Sequence, residues 1–284
     1  MLDLDSLTVE GVAAALLITA VFLGRRILPR LRLPQRRLNH PIPPDWERIV
    51  TSHVALAARL SAADRARLLQ LTAEFIRTKT FEGCGGLTVT EEMTVIIAAQ
   101  ACLLLLNLPG DVYPKVTTVL VYPHPFIPER VLSIRHSFTP VPVPQPLLGE
   151  SWQDGAIVLA WDDVLHSAVD LSAPGNVVLH EFAHALDHED GAGDGIPLVE
   201  SPEALRAWAR VLRRDYAALQ ADVDAGRASV LSPYGATNPA EFFAVATETF
   251  FKRPRELLQS NGELYGELKR FYGQDPAGSD GGAK

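Results

Sequence analysis

Cysteine is scarce in this chain of 284 residues, which contains only Cys84 and Cys102. The two are not arranged as CxxC, and Cys102 stands within the apolar run 101–106. A disulfide framework of the kind that stabilises small secreted proteins is therefore excluded. We predict that both cysteines are reduced core residues of a cytoplasmic domain.

After residue 37 the chain has fewer basic than acidic residues. The formal net charge is −8, but residues 1–37 hold six arginines against three acids, a local balance of +3 that leaves −11 on the rest. A body this acidic repels the phosphate backbone of nucleic acids, so we set DNA and RNA aside as partners. With 47% apolar and 21% charged residues, the composition is typical of an ordinary globular protein.

Runs long enough to span a membrane are absent after residue 24. Residues 6–24 are uncharged except for Glu10, and six arginines follow directly. A bilayer span needs about 20 apolar residues, and basic flanks stay on the cytoplasmic side. We predict that residues 1–24 form a single helix that anchors a cytoplasmic body to the inner membrane. An amphipathic or buried helix is the alternative.

The remaining sequence divides into a linker, a folded body and a tail. Residues 25–45 are rich in arginine and proline, which indicates an extended linker. Residues 46–274 have the apolar periodicity of a folded domain, and residues 275–284 are predicted to be disordered. Caps and apolar spacing predict helices over 46–80, 91–107, 176–188, 201–222 and from Pro239. Within 46–80, Ser61 is predicted to cap a second helix. Strands are predicted over 115–121 and 155–161. The predicted class is α+β and helix-dominated, with a small sheet, plus the N-terminal apolar helix.

Residues 180–184 read His-Glu-Phe-Ala-His, the HExxH pattern, on one of the predicted apolar helices. His180 and His184 project from the same helix face, so their ring nitrogens can meet one zinc ion. Glu181 lies beside them and can take the proton of a zinc-activated water as it attacks an amide carbonyl. A chance match is the alternative. The apolar flanks favour the metal site, because buried imidazoles and carboxylates need partners.

A catalytic zinc site needs a third protein ligand and an open position for water. Glu241 is one candidate, since Asn238 and Pro239 predict that it lies in the first turn of a helix. It could instead complete a capping box. Glu248, two helical turns further on the same face, is the rival, and the spacing leaves both open.

Two residues that follow the motif fit the coordination less well, and a third has a different possible role. His188 lies about 12 Å along the helix from His180, too far for a shared metal. Asp190 could be the last ligand only if a glycine at position 187 broke the helix, and Asp187 stands there instead. Asp187 itself is three residues beyond His184, where it could orient a ligand or the following loop, or serve only as a cap or surface residue.

Three segments together resemble the Mlc titration factor A family of bacterial zinc peptidases: 81–107, 176–191 and 232–251. The likeness covers roughly residues 46–273, and the family belongs to the gluzincins, similar in catalytic core to the anthrax lethal factor. The resemblance implies a zincin-like fold and one zinc ion bound by His180, His184 and Glu241. It also implies that Tyr234, seven residues before that glutamate, stabilises the oxyanion as a hydrogen-bond donor.

The resemblance implies a zinc-dependent, aminopeptidase-like enzyme with Glu181 as general base. Family members are also described as partners of the glucose-regulated repressor Mlc, which makes a repressor of that kind a candidate partner here. The alternative function is a regulatory protein that sequesters a transcriptional repressor and uses zinc structurally. A structural site would have four protein ligands, whereas this sequence offers three. The apolar N-terminal segment departs from the soluble enterobacterial members and disfavours a freely diffusing role.

Overall fold

A computed structural model describes residues 38–125 and 155–279. The predicted anchor over residues 1–24 lies outside these residues, as do residues 25–37 of the predicted linker. No helix in the described ranges is both long and apolar enough to cross a bilayer.

Helices make up most of the described structure, and three short strands form one sheet. In chain order the elements are α1 (Pro44–His53), α2 (Ala55–Ala58), α3 (Ala62–Thr78), β1 (Thr80–Gly83), α4 (Glu91–Leu103), β2 (Thr118–Tyr122), β3 (Ala156–Ala160), α5 (Trp161–Val169), α6 (Val177–Asp187), α7 (Pro202–Asp224), α8 (Pro239–Lys252), α9 (Pro254–Ser260), α10 (Gly262–Tyr272) and α11 (Pro276–Ser279). Short 3-10 turns cover His188–Asp190 and Pro233–Ala236. The predicted helix-dominated α+β class with a small sheet is confirmed.

The sheet is parallel throughout, with strand order β1-β2-β3. Thr80, Thr118 and Ala156 stand in one row of its register. Alternate side chains of β2 and β3 are buried in the core, as the period of a strand requires: Val119, Val121, Ile157 and Leu159. The predicted strand over 115–121 therefore begins three residues later, and the one over 155–161 ends before Trp161, which starts α5.

Helix α6 crosses the centre of the molecule, where it packs along α8 and against α4. Its Phe182 ring lies 5.5 Å from the ring of Phe75 on α3 and 4.7 Å from that of Tyr113. The N-cap Asn176 accepts a hydrogen bond from Leu179 N and donates from its side chain to Gln100 Oε1 on α4, 2.8 Å away. The start of α6 is therefore fixed to the core, which positions the motif that follows.

Two predicted boundaries are wrong by several residues. The linker was predicted to extend to residue 45, but His40 is already bound to the body: its N–H donates to Gln70 Oε1 on α3, and Gln70 Nε2 donates to its carbonyl. Helix α1 then begins at Pro44. The helix predicted over 91–107 ends at Leu103, after which the chain continues in turns.

The predicted disorder of the tail does not hold for residues 275–279. Asp275 accepts hydrogen bonds from the Tyr265 hydroxyl and from Lys269 Nζ, and α11 follows it directly. Both partners lie on α10, so two side chains of one helix bind the start of the tail. Residues 280–284 lie outside the described residues.

Both cysteines are free, but only one of them lies in the core. Cys102 is completely buried on α4, as predicted. Cys84 is half-buried after β1, because the turn at this end of the sheet leaves it near the surface.

Candidate metal centre

The structure brings His180, His184 and Glu241 together in one buried cluster. The two histidines come from successive turns of α6, and their Nε2 atoms are 3.2 Å apart. Glu241 Oε2 comes from the first turn of α8 and lies 3.0 Å from His180 Nε2 and 3.4 Å from His184 Nε2. Three potential ligand atoms from two helices therefore converge on one point.

The start of α8 places Glu241 in this cluster. Asn238 is the N-cap and accepts a hydrogen bond from Glu241 N at 2.9 Å, while Pro239 occupies the first helical turn. This turn faces α6, so the Glu241 side chain points at the histidines and is only 6% exposed. The capping is performed by Asn238, and the carboxylate of Glu241 is directed at the imidazoles.

The cluster has the chemistry and spacing of a site for a small divalent cation. Glu241 Oε2 is buried, and its nearest polar neighbours are the Nε2 atoms of the two histidines, so a carboxylate oxygen taken out of water depends on positive charge at this point. An ion with tetrahedral bonds of about 2.0–2.1 Å separates its ligand atoms by about 3.3 Å, and the observed separations are 3.0, 3.2 and 3.4 Å. Two imidazoles and a carboxylate form the donor set of many catalytic metal sites. The residues present therefore fit one such ion.

Charge within the cluster is strongly coupled. Burial raises the pKa of the Glu241 carboxyl. The adjacent His180 and His184 imidazoles lower this pKa by a larger amount, so that it lies well below its usual range. Burial lowers the pKa of His180, and the carboxylates of Glu241 and Glu248 raise it well above its usual value. The site therefore stabilises positive charge at its centre.

Glu181 and Tyr234 border the three potential ligands. Glu181 is half-buried on α6 beside His180, and burial raises the pKa of its carboxyl even though the two imidazoles lower it. Tyr234 belongs to the Pro233–Ala236 turn, with its ring 5.9 Å from that of His180 and 44% of the residue exposed. Partial burial and the carboxylates of Glu241 and Glu181 raise the pKa of its phenol.

The residues disfavoured as ligands lie outside the cluster. The carbonyl of His188 accepts a hydrogen bond from Lys115 Nζ at 2.9 Å, and its ring lies over Gly193, where an added Cβ would be 2.2 Å from Cε1. Asp190 Oδ1 accepts from Ala192 N within the same loop. Over residues 38–125 and 155–279, His180, His184 and Glu241 form the one group of three such ligands.

The family profile described as "Glucose-regulated metallo-peptidase M90" matches residues 30–273. This chain belongs to the M90 metallopeptidase family. An uncharacterised Synechocystis protein is 36% identical over 239 residues, or 84% of this chain and 86% of the relative. Mlc titration factor A of Serratia proteamaculans is 34% identical over 230 residues (78% and 85%), and that of Klebsiella pneumoniae 33% over 239 residues (81% and 86%). The resemblance to the Mlc titration factor A family is thereby confirmed.

In this M90 chain the two acids of α8 take different positions at the same imidazole. Glu248 Oε1 lies 2.7 Å from His180 Nδ1, on the side of the ring opposite to Glu241. Its Oε2 accepts a hydrogen bond from the backbone N–H of Asn176. A carboxylate at Nδ1 fixes the ring orientation and directs the other nitrogen at the metal position. Glu248 is therefore placed to orient His180, a role that spacing alone did not reveal.

Lys252 is a further residue that the sequence did not indicate. Its buried ammonium donates to the carbonyls of Ala173 and Gly175, at 2.6 and 2.5 Å, in the turn that leads into α6. Burial lowers the pKa of Lys252, and the carboxylate of Glu248 raises it. The only signal in the sequence was a lysine at the end of an apolar helix, eleven residues after Glu241. One face of α8 thus contacts the start of α6 as well as the metal position.

Proposed function

We propose that this M90 protein is a zinc-dependent peptidase, hydrolysing peptide bonds in the manner of an aminopeptidase. The observation that carries the proposal is the convergence of His180, His184 and Glu241, spaced as the ligands of one tetrahedral ion, with Glu181 at its border. The family supports a metallopeptidase, and the resemblance of the motifs supports zinc and the amino-terminal preference. Three protein ligands leave a coordination position for a reactant.

A zinc ion held by these ligands would act as a Lewis acid, lowering the pKa of a water and polarising the scissile carbonyl. Glu181 accepts the proton of the attacking water at its carboxylate and later passes it to the leaving amine. A general base works best when its pKa lies near the operating pH. The raised pKa of Glu181 moves the carboxyl in that direction.

Tyr234 donates a hydrogen bond from its phenol to the oxygen that becomes negative during the attack. Its pKa is raised, so the phenol keeps its proton at neutral pH and remains a donor. The exposed part of the ring faces solvent, where a peptide can approach. Glu248 holds a proton at His180 Nδ1 and keeps Nε2 as the ligand atom.

Glu181→Gln in the full-length chain tests the mechanism. The variant should retain one zinc ion per chain by elemental analysis and lose hydrolysis of chromogenic amino-acid amides by at least about 100-fold. Glu203→Gln, an exposed acid in the first turn of α7, is the control and should leave both unchanged. Hydrolysis by Glu181→Gln at the normal rate would show that another base acts, and wild-type protein without chelator-sensitive hydrolysis would refute the peptidase.

Sequestration of a transcriptional repressor is the second candidate function. It is favoured by the name of several relatives, Mlc titration factor A. In that function the metal would be structural. Tight repressor binding by purified protein that shows no turnover would support it, and full binding by the Glu181→Gln variant would show that both functions coexist.

We also propose that the apolar residues 6–24 tether the M90 domain to the inner membrane, with the domain in the cytoplasm. The support is the length of the run and the six arginines after it. Carbonate-washed membranes should retain the full-length chain. Recovery of all of it in the soluble fraction would refute the tether.

A further inference from the structure

Helices α6 and α8, which supply the proposed metal ligands, are also connected by contacts away from the proposed metal position. Asp187, the last residue of α6, is 1% exposed. Its Oδ2 accepts a hydrogen bond from the backbone N–H of Gly195 at 2.8 Å. This bond brings the loop 188–195 back onto the end of α6. The loop thereby becomes part of the support of the site.

Gly195 lies directly against the first turn of α8. Its φ is +80°, a conformation that glycine adopts without steric cost. A Cβ at this position would lie 2.2 Å from the carbonyl oxygen of Pro239 and 2.7 Å from its carbonyl carbon. The backbone of Gly195 therefore acts as a spacer between the end of α6 and the start of α8.

Trp208 on α7 holds the same glycine from another side. Its Nε1 donates to the Gly195 carbonyl at 3.0 Å. Its ring packs edge-on against Phe243 of α8, with centroids 5.7 Å apart. The peptide groups on both sides of the Gly195 Cα are thus fixed, one by Asp187 and one by Trp208.

We propose that Asp187 is a positioning residue for the third metal ligand. Through Gly195 it determines where Pro239 lies, and Glu241 follows two residues later with its N–H bonded to the Asn238 side chain. The inference rests on the proposed metal site, and it is independent of whether peptides are cleaved. Its consequence is that the separation between Glu241 and the two histidines is set before any ion binds.

Asp187→Ala and Asp187→Asn in the full-length chain test this role, because asparagine keeps an oxygen that can accept from Gly195. Zinc affinity is measured by competition with a chromogenic chelator, and ligand geometry by the visible absorption bands of the Co²⁺-loaded protein. Asp187→Ala should weaken zinc binding by about tenfold or more and alter the Co²⁺ bands. Asp187→Asn should stay within about threefold of wild type with unchanged bands.

Glu200→Ala is the matched control, since it removes an exposed acid five residues after Gly195. It should bind zinc as wild type does. If Asp187→Ala does not fold, Trp208→Phe removes the other bond to Gly195 while keeping an aromatic ring, and about threefold weaker binding is expected. The proposal would be overturned if Asp187→Ala bound zinc with wild-type affinity and had unaltered Co²⁺ bands. If Asp187→Ala does not fold, the same result in Trp208→Phe would overturn it.

Hydrogen exchange of the metal-free protein separates this inference from the proposed function. Exchange at the backbone N–H of Glu241 should accelerate in Asp187→Ala and not in Asp187→Asn. Wild-type protein that binds zinc but cleaves nothing would refute the peptidase and leave the positioning role intact. If wild-type protein binds no zinc, the metal assignment fails, and unchanged exchange at Glu241 would then reject the role of Asp187 as well.

Discussion

The two ends of α6 are connected to the metal position in different ways. At the amino end, Glu248 contacts the proposed ligand His180 directly at Nδ1, and Lys252 reaches it only through the turn before Asn176 and then Glu248. At the carboxyl end, Asp187 reaches Glu241 only through Gly195 and Pro239. We therefore expect a substitution to affect metal binding less when more successive contacts separate the substituted residue from a proposed ligand atom.

Loss of a ligand itself should have the largest effect. Glu241→Ala removes the carboxylate that completes the cluster, so zinc binding should weaken by more than the roughly 100-fold that substitutions behind a ligand reach. Chelator competition and elemental analysis measure this. Glu263→Ala, an exposed acid on α10, is the control. Stoichiometric zinc at wild-type affinity in Glu241→Ala would remove Glu241 from the ligand set.

Glu248→Gln tests the contact between Glu248 and Nδ1 of the proposed ligand His180. Glutamine has the same size, but it loses the charge that orients His180, so zinc affinity should fall by about 10–100-fold. The same competition assay applies, and the result should lie between those for Glu241→Ala and Lys252→Met. An affinity loss as large as that of Glu241→Ala would mean that Glu248 contacts the ion itself.

Lys252→Met tests a residue that lies behind Glu248 and binds the turn before α6. The carbonyls of Ala173 and Gly175 lose their donor, which should lower the free energy of unfolding by about 1–3 kcal/mol. Urea titration measures the loss, and zinc affinity should change less than in Glu248→Gln. Lys269→Met, which affects only the pairing with Asp275 near the surface, is the control. Unchanged stability would show that these two bonds contribute nothing net.

The pH dependence of stability tests the carboxyl end of α6 by itself. Burial, together with the nearby acids Asp194 and Asp190, raises the pKa of Asp187 from 3.8 to about 7, although the bond from Gly195 opposes this. Between these values the folded protein keeps a proton that the unfolded chain has released, so stability falls as the pH rises from about 4 to about 7. Asp187→Asn does not ionise and escapes this fall.

The advantage of Asp187→Asn in melting temperature should therefore grow by about 5–10 °C between pH 5 and pH 8, because the linkage amounts to about 2–3 kcal/mol and each kcal/mol shifts the melting temperature by about 2–4 °C. Differential scanning calorimetry of chelator-treated protein measures it. A constant difference across this range would show that Asp187 is ionised throughout.

Local signals in the sequence predicted α6 and placed His180 and His184 on one face of it, because their spacing depends only on helix geometry. The acid that joins the two histidines was different. Glu241 and Glu248 share one face of α8, and which of them meets Nε2 rather than Nδ1 depends on how α8 packs against α6. That packing joins His180 to Glu248, 68 positions later in the chain, and no local pattern encodes it. The family resemblance had to supply the choice.

Elements without caps or periodicity were missed for related reasons. Strand β1 has the sequence Thr-Phe-Glu-Gly, with Phe81 as its single apolar side chain, and its pairing with β2 is what defines it as a strand. Helix α5 begins at Trp161 with no side-chain cap, so the predicted strand ran on into it. Where a cap is present, as at Thr90 and Asn238, the predicted start was right.

The attachment of His40 to Gln70 determines how mechanical load would enter the domain. Both backbone groups of His40 are bonded to one side chain of α3, a helix that packs on α4. A pull applied ahead of residue 38 would therefore be borne by α3 and the core behind it. That core includes α6, because Phe75 of α3 contacts Phe182 beside His180 and His184.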